Sequence, residues 1–496
     1  MAMAPLPNRL YSAAQTRELD RLAIAGGVSG ATLMARAGQA AFDLMLQRWP
    51  EVREPAILCG AGNNGGDGYV VARLAQEAGL RPVVYQWRPL DRLGGDALAM
   101  AQAARDAGVP MQPLNLDNLP QAAPLLVDGL LGTGISGALR DDMRALLQAL
   151  DALGKPVLAL DIPSGLSADS GASAGAVLNA DCTITFIGVN RGLLTGVGPC
   201  HCGQLVFSGL NVDEAVYQAI PDAVWRPTPL DLRRWLPRRR RDGHKGHYGH
   251  VLVIGGDHGF AGAPSMSAQA AARCGAGLVS LATRAENLIA VLARQPEIMA
   301  RAVDDVAGLE PLLERATVVA VGPGLGTGEW GQTLLKRVLM TDLPLVLDAD
   351  ALNLLADWGV DANDHWILTP HPGEAGRLLG SDSATVQRDR FAAVEALASR
   401  YGGTALLKGL GTLVRGQGGC ALISDGNPGM GSGGMGDVLT GVIAALLAQG
   451  VPPYQAAALG AMAHARAADR AAAEHGERGL LATDLLPPLR WELNGK

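Results

Sequence analysis

The chain is predicted to be an α/β protein built on parallel sheets and divided into two domains. Short apolar runs that end in glycine-rich or acidic turns recur along it, each followed by residues at helical spacing, which is the signature of βαβ units. Its 496 residues are too many for one ordinary domain. Residues 226–246 interrupt the pattern with three prolines and the run Arg238, Arg239, Arg240, Arg241, and read as an exposed linker. The boundary is therefore expected near Trp225 to Pro237, giving domains of residues 1–225 and 226–496.

Hydrophobic residues make up 48% and charged residues 18%, a globular and not a disordered composition. Aromatics are only 4%, so the core must be aliphatic. Net charge is −7, and the abundance of Arg over Lys is a compositional bias without the basic footprint of a nucleic-acid binder. The six cysteines are scattered, which suits reduced thiols; Cys200-His201-Cys202 lacks the second ligand pair that zinc requires. Neither a secretory leader pattern nor an apolar run of about 18 residues is seen. A soluble cytoplasmic protein is expected, with no nucleic-acid or membrane partner and assembling as a homo-oligomer.

In the first half, residues 16–25 and 31–49 carry helical spacing, with Leu33, Ala37, Ala41 and Leu44 on one face. A strand over 55–59 runs into Gly60-Ala61-Gly62-Asn63-Asn64-Gly65-Gly66-Asp67-Gly68, followed by a helix over 69–78 and a second strand over 82–87. The Gly60, Gly62, Gly65 spacing is the dinucleotide fingerprint, yet the acidic residue expected at the end of the second strand is replaced by Gln86 and Trp87. Further strands end at Asp128, before Gly132-Thr133-Gly134-Ile135-Ser136-Gly137, and at Asp161, before Ser164. In a parallel sheet these carboxyl ends gather on one edge. Asn64, Asp67, Asp128, Asp161 and Ser164 would then converge, as oxygen ligands for a hard cation or as an acid/base set. Each Asp taken alone is equally a helix cap or turn residue.

In the second half, strands are expected over 250–254, 317–321, 345–348, 366–369 and 405–408, ending in Gly255-Gly256, Gly322-Pro323-Gly324, Asp348 and Asp350, His371 between two prolines, and Lys408-Gly409. A small-residue helix begins near Ala263. Residues 425–437 contain six glycines and lead into an apolar helix over 438–447, with Asp437 at or near its N-cap. A bare-backbone loop at a helix N-terminus favours phosphate. An acid in that position has either a capping role or the role of a base that takes a proton from an attacking hydroxyl. Lys408 offers a point charge to a phosphate or snorkels at the sheet edge, and His371 is a substrate contact or a rigid turn residue. No Walker A sequence is present, so a P-loop NTPase is excluded. These parts suit nucleotide-dependent phosphorylation of a small-molecule hydroxyl.

The strings Gly-Asn-Asn-Gly-Gly-Asp-Gly (62–68), Asp-Ala-Asp-Ala-Leu-Asn (348–353) and Asn-Pro-Gly-Met with the later Gly-Asp (427–437) resemble the NAD(P)H-hydrate repair family over nearly the whole chain. The resemblance implies an N-terminal Rossmann-like three-layer epimerase domain and a C-terminal ribokinase-like, ADP-dependent dehydratase domain. Reduced nicotinamide cofactors add water at ring carbon 6, giving R and S hydrates (NADHX and NADPHX). The resemblance implies that the first domain interconverts the epimers and that the second dehydrates the S form with ADP, releasing AMP and phosphate.

By the same resemblance, Asp161 is the acid or base of epimerisation. Asn63, Asn64, Gly65, Gly66, Asp67, Gly132, Thr133, Gly134, Ile135, Ser136, Gly137 and Ala138 contact the hydrate, and Asn64, Asp128 and Ser164 hold K+. Asp437 is the base of the dehydratase. Ala263, Gly324, His371 and Asp437 contact its hydrate, Lys408, Gly409, Leu410, Gly411, Thr412 and Gly436 contact the nucleotide, and Mg2+ accompanies ADP. Met34 to Gly38, Ser167 and Phe260-Ala261 depart from the family pattern without removing a catalytic group. The alternative is a ribokinase-like small-molecule hydroxyl kinase with an accessory N-terminal ligand-binding domain.

Overall fold

A computed structural model describes residues 6–134 and 137–495, so the expected contacts Ile135 and Ser136 lie outside the described residues. The chain separates into two compact units, Met1–Val224 and Trp225–Lys496.

The first unit is Rossmann-like. Seven parallel strands, β1 (Ala56–Cys59), β2 (Val83–Gln86), β3 (Met111–Pro113), β4 (Leu126–Gly129), β5 (Val157–Leu160), β6 (Cys182–Phe186) and β7 (Gln204–Ser208), lie in the order β3-β2-β1-β4-β5-β6-β7. Successive side chains of a strand point to opposite faces. Ile57, Cys59, Val127, Leu158 and Leu160 accordingly pack into one core, under helices α1 (Ala13–Ala25), α2 (Gly30–Arg48), α3 (Asn63–Glu77) and α4 (Gly95–Asp106). Ala56, Leu58, Leu126 and Ala159 pack into a second core with α5 (Asp141–Asp151) on the other face. A parallel sheet must be covered on both sides, and these two cores make the three layers. Strand order reverses between β1 and β4, the point where such sheets open a crevice for a ligand.

The sequence expectation errs at the start of α3. The glycine-rich segment is not a loop before a helix at Tyr69; α3 begins at Asn63 and contains Gly65, Gly66 and Gly68. These glycines serve close approach and not turning. A Cβ on Gly65 would stand 2.1 Å from the Gly60 carbonyl oxygen, and one on Gly66 would stand 2.5 Å from the Met34 sulfur. The helix start is thereby seated directly on the end of β1 and against α2.

In the second unit the strands β8 (His250–Ile254), β9 (Leu278–Thr283), β10 (Met299–Ala302), β11 (Val318–Val321), β12 (Leu345–Leu347), β13 (Trp366–Leu368), β14 (Thr404–Leu407), β15 (Thr412–Gly416) and β16 (Gly419–Ile423) follow the order β10-β9-β8-β11-β12-β13-β14-β15-β16. All neighbours are parallel up to β14, and β15 and β16 extend the sheet with antiparallel pairing. Helices α6 (Gly262–Arg273), α10 (Met435–Ala448) and α11 (Pro453–His475) share one core with Val251, Val253, Val318, Ala320 and Val346. Also in this unit are α7 (Asp350–Trp358), α8 (Pro372–Leu379) and α9 (Arg390–Tyr401). Apolar residues all around α10, from Val438 to Leu447, mark it as a fully enclosed helix. It crosses α6 closely at Gly441, where a Cβ would meet the Ser267 carbonyl oxygen at 2.1 Å.

Candidate active sites

The carboxyl ends of β1, β4 and β5 line a cleft of about 740 Å³. Asn63, Asn64, Asp67, Gly132, Thr133, Gly134, Ala138 and Asp161 all face it, so the fold brings these expected contacts together. Asp128 and Ser164 lie beneath, fully buried and tied to each other. The Ser164 hydroxyl donates to Asp128 Oδ1 at 2.6 Å, and the Ser164 N–H donates to Oδ2 at 2.8 Å. Asn64 donates its amide to the Leu131 carbonyl at 3.0 Å, and the Leu131 N–H donates to Ser164 Oγ at 2.9 Å. Among the described residues, that leaves Asn64 Oδ1 buried with no hydrogen-bond partner. An orphaned buried acceptor is costly, and a cation accepted there would relieve it. Burial raises the Asp128 carboxyl, against the hydrogen bonds from Ser164 and Leu130.

Asp161 leaves β5 with φ of 62°, a left-handed conformation rare outside glycine. Its N–H donates to the Ile184 carbonyl at 2.7 Å, and its Oδ1 accepts from the Thr185 hydroxyl at 3.2 Å. Burial and the nearby charge of Asp20 push its carboxyl up to about 7. Asp67 is raised well above its ordinary value by burial and by Asp161 and Asp20. Asp20, on α1, is raised to about 6 by burial and lines the same cleft. Carboxyls poised near neutrality in a cleft suit proton transfer.

The second unit gathers its polar groups where β12, β13 and β14 end beside the start of α10. Lys408 Nζ donates to Asp348 Oδ1 at 2.8 Å and lies 3.9 Å from Glu374 Oε2. Asp348 Oδ2 accepts from the Thr440 hydroxyl at 2.8 Å. Burial alone would raise Asp348; the Lys408 charge and the hydrogen bonds from Lys408, Thr440 and Thr369 outweigh it and hold the carboxyl below its usual range. Lys408 is therefore a paired ion at the site wall, not a side chain snorkelling from the sheet edge.

Asp437 is not the N-cap of α10. Gly434, at φ of 92°, occupies that position, and Asp437 is the third helical residue, inside the first turn. A cap must be non-helical, and glycine takes the left-handed turn that delivers the loop there. Burial and the neighbouring Asp348 push Asp437 up to about 7, with Lys408 opposing. The Asp437 carbonyl accepts from the Ser267 hydroxyl at 2.8 Å, which locks the turn against α6. Gly436 lies beside the same ions: a Cβ there would be 3.3 Å from Lys408 Nζ.

His371 caps α8. Its Nδ1 accepts from the Gly373 and Glu374 N–H groups, at 2.9 and 3.4 Å. That arrangement assigns the proton to Nε2, which lies 3.4 Å from Glu374 Oε1. Glu374, 6% exposed, is pushed up to about 7 by burial, against Lys408. Gly324 and Ala263 are neighbours, since a Cβ on Gly324 would be 3.5 Å from the Ala263 Cβ. The segment 425–430 is pinned to α11: Asp469 accepts from the Gly426 N–H and the Asn427 amide, each at 2.9 Å. Residues 408–412 wrap the guanidinium of Arg390, which donates to the carbonyls of Leu407, Lys408 and Gly411 at 3.2 to 3.3 Å.

A family profile described as NAD(P)H-hydrate dehydratase matches residues 251–489, and one described as YjeF-related protein N-terminus matches residues 30–192. The bifunctional NAD(P)H-hydrate repair enzyme Nnr of Coxiella burnetii is 49% identical over 492 residues, spanning 98% of this chain and 99% of that protein. The chain belongs to the bifunctional NAD(P)H-hydrate repair enzyme family. The Escherichia coli repair enzyme Nnr is 44% identical across 99% of this chain and 95% of its own length. A ribokinase-like superfamily protein of Enterococcus faecalis, 29% identical, superposes with a TM-score of 0.51 over 54% of this chain and 95% of its own. This repair enzyme thus carries a ribokinase-like C-terminal unit behind a YjeF-related N-terminal one.

Asp348, Glu374, Arg390, Thr440 and Asp20 were not singled out as site residues from sequence. For Asp348 the signal is present, a carboxylate ending a strand two residues before a helix. For Asp20 and Arg390 none is available, because Asp20 sits inside an ordinary amphipathic helix and Arg390 at the start of another. Cys200, His201 and Cys202 do not form a site: Cys202 is buried, Cys200 exposed, and His201 pairs with Asn179 at 2.6 Å. Among the described residues no cluster of three or more His, Cys, Asp or Glu side chains is arranged to hold a metal. Likewise, no helix among them is long and apolar enough to cross a membrane.

Proposed function

We propose that the two sites act in sequence on hydrated nicotinamide cofactors: the first interconverts R- and S-NAD(P)HX, and the second dehydrates the S form to NAD(P)H at the expense of ADP, releasing AMP and phosphate. Asp437 carries the second half of this reading. It is a partly buried carboxylate raised toward neutrality, inside the first turn of α10, next to the Lys408–Asp348 pair.

The hydrate's hydroxyl lies within reach of Asp437, which takes its proton as the oxygen attacks the β-phosphate of ADP. Lys408 and the N-terminal amides of α10 stabilise the charge that develops on the transferred phosphoryl group. Loss of phosphate from ring carbon 6 then restores the dihydronicotinamide. Lys408 to Thr412 and Gly436 hold the AMP moiety; Ala263, Gly324 and the Nε2 proton of His371 orient the hydrate. Mg2+ enters with the nucleotide phosphates.

In the first site the hydrate lies against residues 63–67 and 132–138, and Asp161 exchanges a proton with its hydroxyl. The amide oxygen of Asn64, the Asp128 carboxylate and the Ser164 hydroxyl suit K+, an oxygen-seeking cation, and the partnerless Asn64 Oδ1 supports this placement. Held by these residues, K+ would supply a fixed positive charge to the site. Unpaired cysteines and a pyridine-nucleotide substrate favour a cytoplasmic setting.

Incubating the chain with separated R- and S-NADHX and ADP, and following absorbance in the reduced-nicotinamide band, tests the reading. Recovery of NADH from both epimers is expected. Recovery from neither removes it in favour of a hydroxyl kinase.

A further inference from the structure

Inverting a carbinol carbon is a two-sided task. The hydroxyl must leave as water from one face, and water must arrive as hydroxyl on the other. The first event consumes a proton and the second releases one. One carboxyl on one face serves only half of this, so the chemistry calls for a second group in the opposite protonation state.

The epimerase cleft contains such a group. Asp20 lines it together with Asp67 and Asp161. Asp20 sits in the interior of α1, which is capped by the Ser12 hydroxyl, so Asp20 caps nothing. Among the described residues it makes no hydrogen bond or ion pair, although Arg17, one turn earlier, faces the same cleft. A surface aspartate on an amphipathic helix is normally solvated; this one is partly buried and turned into a cavity without a partner. Asp67 repeats the observation from a third element: only 9% exposed, it too faces the cleft, and among the described residues it makes no hydrogen bond. Unpartnered buried oxygens aimed into the cleft are what a polar ligand would satisfy. Asp161 differs, being steadied by Thr185.

Resting on the epimerase assignment of Asp161, we propose that Asp20 is a second catalytic residue of epimerisation, working on the face of the hydrate opposite Asp161. Asp20 in its acid form gives its proton to the hydroxyl on ring carbon 6. The carbon–oxygen bond breaks, water leaves, and the lone pair of ring nitrogen 1 forms the C6=N1 iminium. Water then adds to carbon 6 from the other face and gives a proton to the Asp161 carboxylate. The product is the opposite epimer. No electrons are gained or lost, one water leaves and one enters, and one proton has moved from Asp20 to Asp161. The reverse epimerisation runs the two roles the other way. Burial raises Asp20 to about 6, and burial together with the Asp20 charge raises Asp161 to about 7, so each side chain is able to hold or release a proton near neutrality.

The test uses the full chain. Asp20→Asn is expected to lower kcat for R-to-S conversion by about 100-fold or more while KM moves by less than about 3-fold, and Asp20→Glu is expected to recover part of the loss. ADP-dependent dehydration of purified S-NADHX by the same variant should equal that of the parent, and an unchanged set of calorimetric unfolding transitions reports on folding of the first unit. In water enriched in oxygen-18, the parent should place one solvent oxygen at carbon 6 per inversion. Retention of kcat by Asp20→Asn, or inversion without solvent oxygen, overturns the proposal. The label experiment needs no variant and stands even if the substitution unfolds the domain. Parallel measurement of Asp161→Asn separates the two assignments: unchanged epimerisation there discards the Asp161 reading, whereas its loss beside a fully active Asp20→Asn discards only the second residue.

Discussion

Asp437 shows how a single side chain trades stability for chemistry. Its carboxyl is raised from an ordinary 3.8 to about 7, chiefly by burial and by Asp348. The native state therefore holds a proton that the unfolded chain has already released across that interval. Stability contributed by this group falls as pH climbs through the window, and the full penalty is present above its upper end. The same shift sets the activity, because only the ionised form accepts the substrate's proton. Dehydration should rise with pH along a limb centred near the raised value. Asp437→Asn should lower kcat for dehydration by about 10²- to 10⁴-fold with the Kd for ADP little changed. At pH values above the limb its Tm should exceed that of the parent, since an amide pays no such penalty. Calorimetry and steady-state rates on one preparation check both. Turnover retained by the variant removes Asp437 from the mechanism.

At the level of elements, the strand ends are what the sequence announces most clearly. Each is a short aliphatic run closed by glycine, proline or a carboxylate, and Asp128, Asp161, His371 and Lys408 were all found at such ends. The starts of helices are less legible, because glycine ordinarily signals a loop. In α3 it lies inside the helix, where the Gly60 carbonyl and Met34 leave no room for a Cβ. In α10 the left-handed Gly434 displaced Asp437 from the cap. Long-range partners were illegible altogether: Lys408 and Asp348 are 60 positions apart, and only the parallel pairing of β12, β13 and β14 brings them within 2.8 Å.

Arg390 is the sharpest case of this kind. It is 1% exposed at the start of α9, donates to three carbonyls around residues 407–411, and bonds Gln387 at 2.6 Å. Gly409, at φ of 130°, passes so close that a Cβ would lie 2.9 Å from the guanidinium. The loop assigned to the nucleotide is thus moulded on a buried cation. Removing it takes a donor from each of those carbonyls, at about 1–3 kcal/mol for each one left buried and unsatisfied. Arg390→Ala should raise the Kd for ADP by about 10-fold or more, Arg390→Lys by less, and neither should touch epimerisation. Titration calorimetry with ADP reads this directly, and an unchanged Kd in Arg390→Ala would separate the loop from nucleotide binding.

On the scale of the whole molecule, each unit has its own sheet, its own core and its own cluster of raised carboxyls. Two stable cores with separate chemistries predict separable defects. Asp161→Ala should abolish R-to-S conversion yet leave dehydration of the S epimer intact, and Asp437→Asn should do the reverse. Neither variant alone repairs R-NADHX. An equimolar mixture of the two should, because the S epimer made by one chain is free to diffuse to the other. Its rate should rise with total protein. A mixture that fails to recover NADH from R-NADHX, while each variant retains its one activity, would mean that the intermediate passes only between the two sites of a single chain. The two-unit architecture would then have to be read as a conduit and not as a pair of independent catalysts.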